Sequence, residues 1–237
     1  MIKRVESLPF LPKTVSAARI KALDMAYRDS VGIDMFEQKH NGQQTAFFGG
    51  IDGSFSLITS KNADFEELNE YFAFSHSAVY CDGDDAKYLN CNKKTVSELY
   101  ELENALSAEN ALGHCGIAQV YCKLQNGLDG DIVLPPFEHW YADFCIRFNH
   151  LAAEYAASEN GVAVCGFMTE EISLITGVAV AENSRGKDEG TRVLSALIHN
   201  VRKKYPHSRI FASTVSAAEF YQKNGFKRKG TVAVCEF

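Results

Sequence analysis

The stretch VAVAENSRGKDEGTRVL, Val178 to Leu194, decides how this chain is read. An apolar β-prone run enters a loop holding Arg185, Gly186, Lys187 and Gly190, and an amphipathic helix follows. In that helix Val193, Leu194, Leu197, Ile198 and Val201 keep helical spacing. The start of a helix leaves amides unpaired and carries about half a positive charge, so it attracts phosphate. Gly186 and Gly190 permit close backbone approach, while Arg185, Lys187 and Arg192 add charge. Yet Asp188 and Glu189 put two negative charges in the same loop. Neither GxxxxGK[ST] nor GxGxxG is present. From these residues two readings stand: an anion cradle, or a helix start whose acids favour its dipole.

Upstream of the loop, AEYAAS, GVAVCGFMTE and ISLITGVAVAE read as three successive strands. PPFEHWYADFCIRFNHLA reads as a helix opened by Pro135 and Pro136, with Trp140, Phe144, Phe148 and Leu151 on its apolar side. GIAQVYCKL before it reads as a strand. Downstream, RIFAST is a buried strand and SAAEFYQKNGF a short helix, with a Ser216-x-x-Glu219 capping box and a Gly225 stop. TVAVCEF is a further strand. Nearer the N-terminus, TVSAARIKALDMAYRDS is a helix capped by Thr14, and two β-prone runs flank an Asn41-Gly42 turn. SFSLITS and SAVYC are strands around the helix NADFEELNEYFAFS. TVSELYELENAL is ambiguous: Thr95-x-x-Glu98 favours a helix, the alternation a strand.

The 237 residues suit one large domain or two small ones. With 24 basic and 30 acidic side chains the formal charge is −6, which argues against nucleic-acid or membrane-surface binding. No apolar run reaches the roughly 20 residues of a spanning helix, and MIKRVESLPF lacks a signal-peptide core, so a cytoplasmic protein is expected. The seven cysteines are scattered without a CxxC pair, which predicts reduced thiols and no metal site.

The loop and the segment FYQKNGF, 220 to 226, together resemble the GNAT superfamily of N-acetyltransferases. That family's acetyl-CoA loop runs Arg/Gln-x-x-Gly-x-Gly/Ala after a strand like GVAV, and its last helix carries a signature like FYQKNGF. The resemblance spans roughly residues 113 to 237. FEHWYADFCIRFNHLA is similar to a helix of bacterial members that carry an extra, degenerate GNAT-like half. It implies an α/β (α+β) fold: a mixed, mainly antiparallel sheet flanked by helices. Residues 1–112 would form an N-terminal α+β half and 113–237 the acyl-CoA N-acyltransferase domain.

What the resemblance implies for chemistry is direct acetyl transfer from acetyl-CoA to a small-molecule or peptide amine, without metal. Backbone groups at Val178, Ala179 and Val180 would hold the thioester oxygen. Arg185, Gly186, Lys187, Asp188, Gly190 and Thr191 would take the pyrophosphate, and Ser213 the pantetheine. Tyr221 would protonate the departing sulfur. Asp188 departs from the pattern, standing where its first glycine belongs. A carboxylate turned inward at about 6 Å costs on the order of 3 kcal/mol, about a hundredfold in affinity; turned outward it costs little. No base is assigned: Leu174 occupies the position some members give to a glutamate. Glu170 and Glu171 read as turn acids, and Asp143, Arg147 and His150 as a polar helix face. The alternative is a non-catalytic scaffold that binds acyl-CoA or a protein partner. A longer acyl donor or a hydroxyl acceptor is a further one, and sheet edges in such domains are compatible with a homodimer.

Overall fold

Thr14 caps its helix as its position predicts: the hydroxyl accepts from the Ala17 amide at 3.3 Å. This opens α1 (Val15–Tyr27), which follows the short strand β1 (Ile2–Arg4). The computed structural model describes residues 1–103, 116–127 and 134–237. Next come β2 (Asp34–His40) and β3 (Gln43–Ile51). They are joined through Asn41 and Gly42 at φ 50° and 79°, a two-residue turn whose twist suits a hairpin. β4 (Ser54–Thr59), α2 (Phe65–Phe74), β5 (Ala78–Asp82) and β6 (Lys93–Leu102) complete the first half. The second half holds α3 (Ile117–Gly127), α4 (Phe137–Asn149), β7 (Glu154–Ala157), β8 (Gly161–Met168) and β9 (Ile172–Val180). It continues with α5 (Glu189–Lys204), β10 (Arg209–Thr214), α6 (Ala218–Lys223) and β11 (Phe226–Glu236).

The described strands form one sheet of eleven, ordered β1-β2-β3-β4-β5-β11-β6-β10-β9-β8-β7. Only β4–β5 and β9–β10 pair in parallel, each bridged by a helix, α2 in one half and α5 in the other. The halves therefore repeat one plan, but their last strands are exchanged. β11 lies beside β5, and β6 lies between β11 and β10. The boundary expected at 112/113 thus does not divide the sheet.

On one face, Leu68 and Phe72 of α2 pack on Val79, Ala233 and their neighbours, while α5 and α6 pack on Tyr100, Ile175, Ala212 and Phe226. The opposite face carries α1 over Leu174, Phe211 and Val232, and α3 with α4 over Val162, Val164 and Ala179. In α5, Val193, Leu194, Leu197, Ile198 and Val201 are all at most 3% exposed. At roughly 1.5–3 kcal/mol each, their burial fixes where α5, and hence the loop before it, starts.

One sequence reading is corrected and one left open is resolved. GIAQVYCKL lies in helix α3: Ile117, Val120, Tyr121 and Leu124 fall at i, i+3, i+4 and i+7, and the last three are buried. The ambiguous TVSELYELENAL is strand β6 up to Leu102, because pairing with both β10 and β11 outweighs the cap-like Thr95 and Glu98. Its last residues lie outside the described ones.

Candidate functional site

The β9–β10 ladder runs from Ile172↔Arg209 to Ile175↔Ala212 and stops there, although β9 continues to Val180. An irregularity in the β8–β9 pairing leaves Thr176 as an extra residue, which turns the end of β9 away from β10. This opens a gap in the sheet. The Ala181 amide donates across to Asn160 on the β8 side, at 2.8 Å. By the two-residue period of a strand, the amides of Val178 and Val180 face the gap instead.

Beyond β9 the chain makes a tight turn over Glu182–Ser184. It then passes through two left-handed residues, Gly186 at φ 73° and Asp188 at φ 57°, before α5 begins at Glu189. The side chain of Asp188 makes no cap bond; it is 80% exposed and pairs with Lys223 at 3.3 Å. Glu189 is held by Ser158 and Arg192. Both acids are accordingly engaged by partners of their own. A side chain at Gly190 would bring its Cβ within 3.0 Å of the Phe220 ring, so glycine there lets α6 approach α5.

Gap, loop and α6 enclose a cleft of about 340 Å³. Val178, Val180, Arg185, Gly186, Asp188, Gly190, Thr191 and Tyr221 all line it. Three other residues singled out from the sequence do not. Ala179 points to the opposite face, against α3 and α4. Lys187 is exposed outside the lining. Ser213, next to the buried Ala212 in β10, shares the opposite face with its partner Leu99. The lining also includes Lys223, Phe220 and Gly127, which sequence reasoning did not single out. Lys223 sits inside the quoted FYQKNGF; Gly127 gave no signal because its helix reads as a strand.

Arg185 lies across the cleft, donating to the Val180 carbonyl at 3.4 Å and the Gly127 carbonyl at 3.3 Å. Tyr221 is 4% exposed, its ring stacked on Tyr100 at 6.2 Å and edge-on to Phe226 at 5.3 Å. Burial pushes its hydroxyl well above the ordinary tyrosine range, so it stays protonated at neutral pH. No side chain caps α6, whose N-cap is Ala217, so the Ser216-x-x-Glu219 box does not form; the Thr214 hydroxyl accepts from the Ser216 and Ala217 amides just ahead of it, at 3.3 and 2.8 Å.

None of the acids weighed as a base lines the cleft. Glu171 is paired with Lys21 and Lys13, and the Lys21 hydrogen bond holds its carboxyl below the usual range. Asp143 accepts from Tyr27 at 2.7 Å and pairs with Arg147, which also donates to the Gly166 carbonyl. His150 ends α4 and Leu174 is buried. Among the described residues no group of three or more His, Cys, Asp or Glu is arranged to hold a metal ion. No described helix is long and apolar enough to cross a membrane.

The first half repeats the parallel crossover without the cradle. Asp64 accepts from the Glu66 and Glu67 amides at 3.1 Å, so its own carboxylate fills the start of α2.

Residues 147–228 match the family model described as acetyltransferase (GNAT) domain. A GNAT-family acetyltransferase from Colwellia psychrerythraea shares the fold at 16% identity, over 100% of this chain and 99% of that one, with a TM-score of 0.53. A tandem GNAT protein from the clavulanic acid biosynthesis pathway does so at 9% identity, over 100% and 98%, with a TM-score of 0.54. An N-acetyltransferase of the same superfamily from Kribbella flavida gives 10%, 92% and 93%, and 0.58. A search of curated proteins found no match. Residues 147–228 thus match a GNAT acetyltransferase domain, the chain as a whole shares the fold of GNAT acetyltransferases, and domain and fold support acyl transfer in general.

Proposed function

We propose that the protein is an N-acetyltransferase that moves an acetyl group from acetyl-CoA to an amine by direct attack. One observation carries this reading: the gap-facing amides of Val178 and Val180, the start of α5 and the hydroxyl of Tyr221 converge on one cleft. Acetyl-CoA, when bound, supplies a thioester whose acyl carbon a neutral amine attacks, giving an amide and the CoA thiol. The α5 amides at Gly190 and Thr191, with Arg185, Gly186 and Lys223, fit the pyrophosphate. Asp188 stands at the exposed rim of the same cleft, its charge offset by Lys223. Val178 and Val180 donate to the carbonyl oxygen as it gains charge. Tyr221 supplies the proton to the departing sulfur.

Calorimetric titration with acetyl-CoA and with CoA tests the reading, beside Asp188→Gly. Micromolar binding by the natural protein supports a working cradle. Binding only after Asp188 is removed means the carboxylate blocks the site, and no binding by either form overturns the proposal. The scaffold reading rests on Asp188 and on the ion pairing of both carboxylates in the described lining, Asp188 with Lys223 and Glu189 with Arg192. Tyr221→Phe separates the two: turnover reduced at least tenfold, with CoA affinity kept within twofold, supports catalysis. Absence of turnover in both forms across an amine panel supports the scaffold.

A further inference from the structure

Thr176, the extra residue that turns β9 away from β10, has a counterpart on β8. Val164 pairs with Gly177 and Cys165 with Ile175, which leaves Thr176 over; Phe167 then pairs with Leu174, which leaves Gly166 over. The second irregularity cancels the first, so Met168 meets Ser173 in the register that Gly161 and Val180 set. Left uncancelled, a one-residue slip would turn every later side chain to the other face. The two extra residues touch: a Cβ at Gly166 would lie 2.6 Å from Thr176 Oγ1 and 2.8 Å from its Cγ2. In the first half the matching strands β3 and β4 pair from Ala46↔Thr59 to Ile51↔Ser54 with no residue left over. The paired irregularity therefore belongs to the half with the cleft. One side chain holds it. Arg147 of α4, 6% exposed, donates from Nη1 to the Gly166 carbonyl and rests on the ring of the next residue, Phe167, at 4.8 Å. Asp143, one turn earlier, grips that guanidinium through Nε at 3.0 Å and through Nη2. Helix α1 of the first half backs both contacts: Tyr27 donates to Asp143 at 2.7 Å, and Arg19 lies over the Phe167 ring at 4.1 Å.

We propose that Arg147 is a positioning residue for acyl transfer: by holding the Gly166 carbonyl it fixes the paired irregularity, and with it the angle at which Val178 and Val180 face the gap. This role presupposes that the cleft takes acetyl-CoA. Arg147 is not among the residues lining the cleft and acts only through the strand pair. A guanidinium locked into a fork with a carboxylate leaves the carbonyl it also holds little freedom. Irregularities of this kind re-aim a strand next to a site, and here they aim two amides. Those amides donate to the thioester oxygen as it gains charge, so a small displacement of them costs rate. It does not cost binding, because the pyrophosphate is held at the start of α5, beyond the end of β9. The first half thereby acquires a part in the chemistry of the second, through Tyr27 and Arg19.

The test sets Arg147→Gln, Gly166→Ala and the double variant Gly166→Ala/Thr176→Ala beside the natural full-length protein. Calorimetry gives CoA affinity, and steady-state kinetics give kcat and KM for acetyl-CoA on whichever amine of the panel the natural protein acetylates fastest. Arg147→Gln and Gly166→Ala should each lower kcat about tenfold or more, with KM and CoA affinity kept within about twofold. Adding Thr176→Ala to Gly166→Ala removes both crowding atoms and should restore most of the lost rate, which a general loss of stability would not allow. Tyr27→Phe deletes a single hydrogen bond, so it serves if Arg147→Gln does not fold; kcat should fall about two- to fivefold at unchanged CoA affinity. Unchanged kcat in Arg147→Gln, or in Tyr27→Phe where it stands in, would overturn the role and leave the acetyl-CoA reading standing. So would kcat and CoA affinity falling together, or a double variant as slow as Gly166→Ala. A natural protein that neither binds CoA nor acetylates any amine would overturn that reading, and the role with it.

Discussion

Asp188 holds a left-handed backbone at φ 57°, which costs an ordinary L-residue about 1–2 kcal/mol and glycine nothing. Asp188→Gly recovers that cost less the chain entropy glycine loses, a net gain of about 0.5–1 kcal/mol. A melting temperature raised by roughly 2 °C is expected, and thermal melts check it. The same change removes a charge from the cleft rim and raises CoA affinity severalfold; Asp188→Asn shares the second effect and not the first. The pattern's demand for glycine here was legible in the sequence, but its cause was not. Only the backbone angle shows that the demand is conformational as well as electrostatic. Tyr221 and Tyr80 are both buried with hydroxyls held above the ordinary range near 10. Above about pH 10 the unfolded chain loses protons that the folded one retains, so unfolding becomes easier as pH rises. Their contribution is complete below pH 10 and fades above it. Urea melts from pH 8 to 11 should show that decline, shallower for Tyr221→Phe.

Α6 is the element where sequence and structure part most usefully. Ser216-x-x-Glu219 has the pattern of a capping box, yet no side chain caps α6, and Thr214 at the end of β10 instead ties down the two amides just ahead of it. Thr214→Ala should cost about 1 kcal/mol and Ser216→Ala a few tenths, measured by urea unfolding. The pattern misleads because the strand delivers its last side chain to the helix start, a geometry that local spacing does not encode. Much else at this scale was readable. The stripe of α5 and the run of strands before it needed only periodicity. α3 and β6 were not readable for opposite reasons. The helical stripe of α3 is short enough to pass for alternation, and β6 is a strand because two distant strands flank it.

At the scale of the molecule, the exchange of β6 and β11 makes each half depend on the other. A 113–237 fragment lacks β6, hence the ring of Tyr100 that supports Tyr221 and the strand between β10 and β11. It should be largely unfolded by circular dichroism, with separately supplied 1–112 restoring signal and CoA binding; a folded lone fragment would contradict this. The sequence could not announce the exchange, because strand order within a sheet depends on pairings more than a hundred residues apart. Those pairings also set a timetable for synthesis. β5 leaves the ribosome about 150 residues before its partner β11, and at ~5–20 residues per second that is a wait of roughly 8–30 seconds. Throughout it the nascent chain exposes an unmatched strand edge, open to whatever else in the cell can pair with it. A strand made this late is thus the one that shields the first half from its neighbours, so yield in the cell should depend on chaperone supply more than final stability suggests.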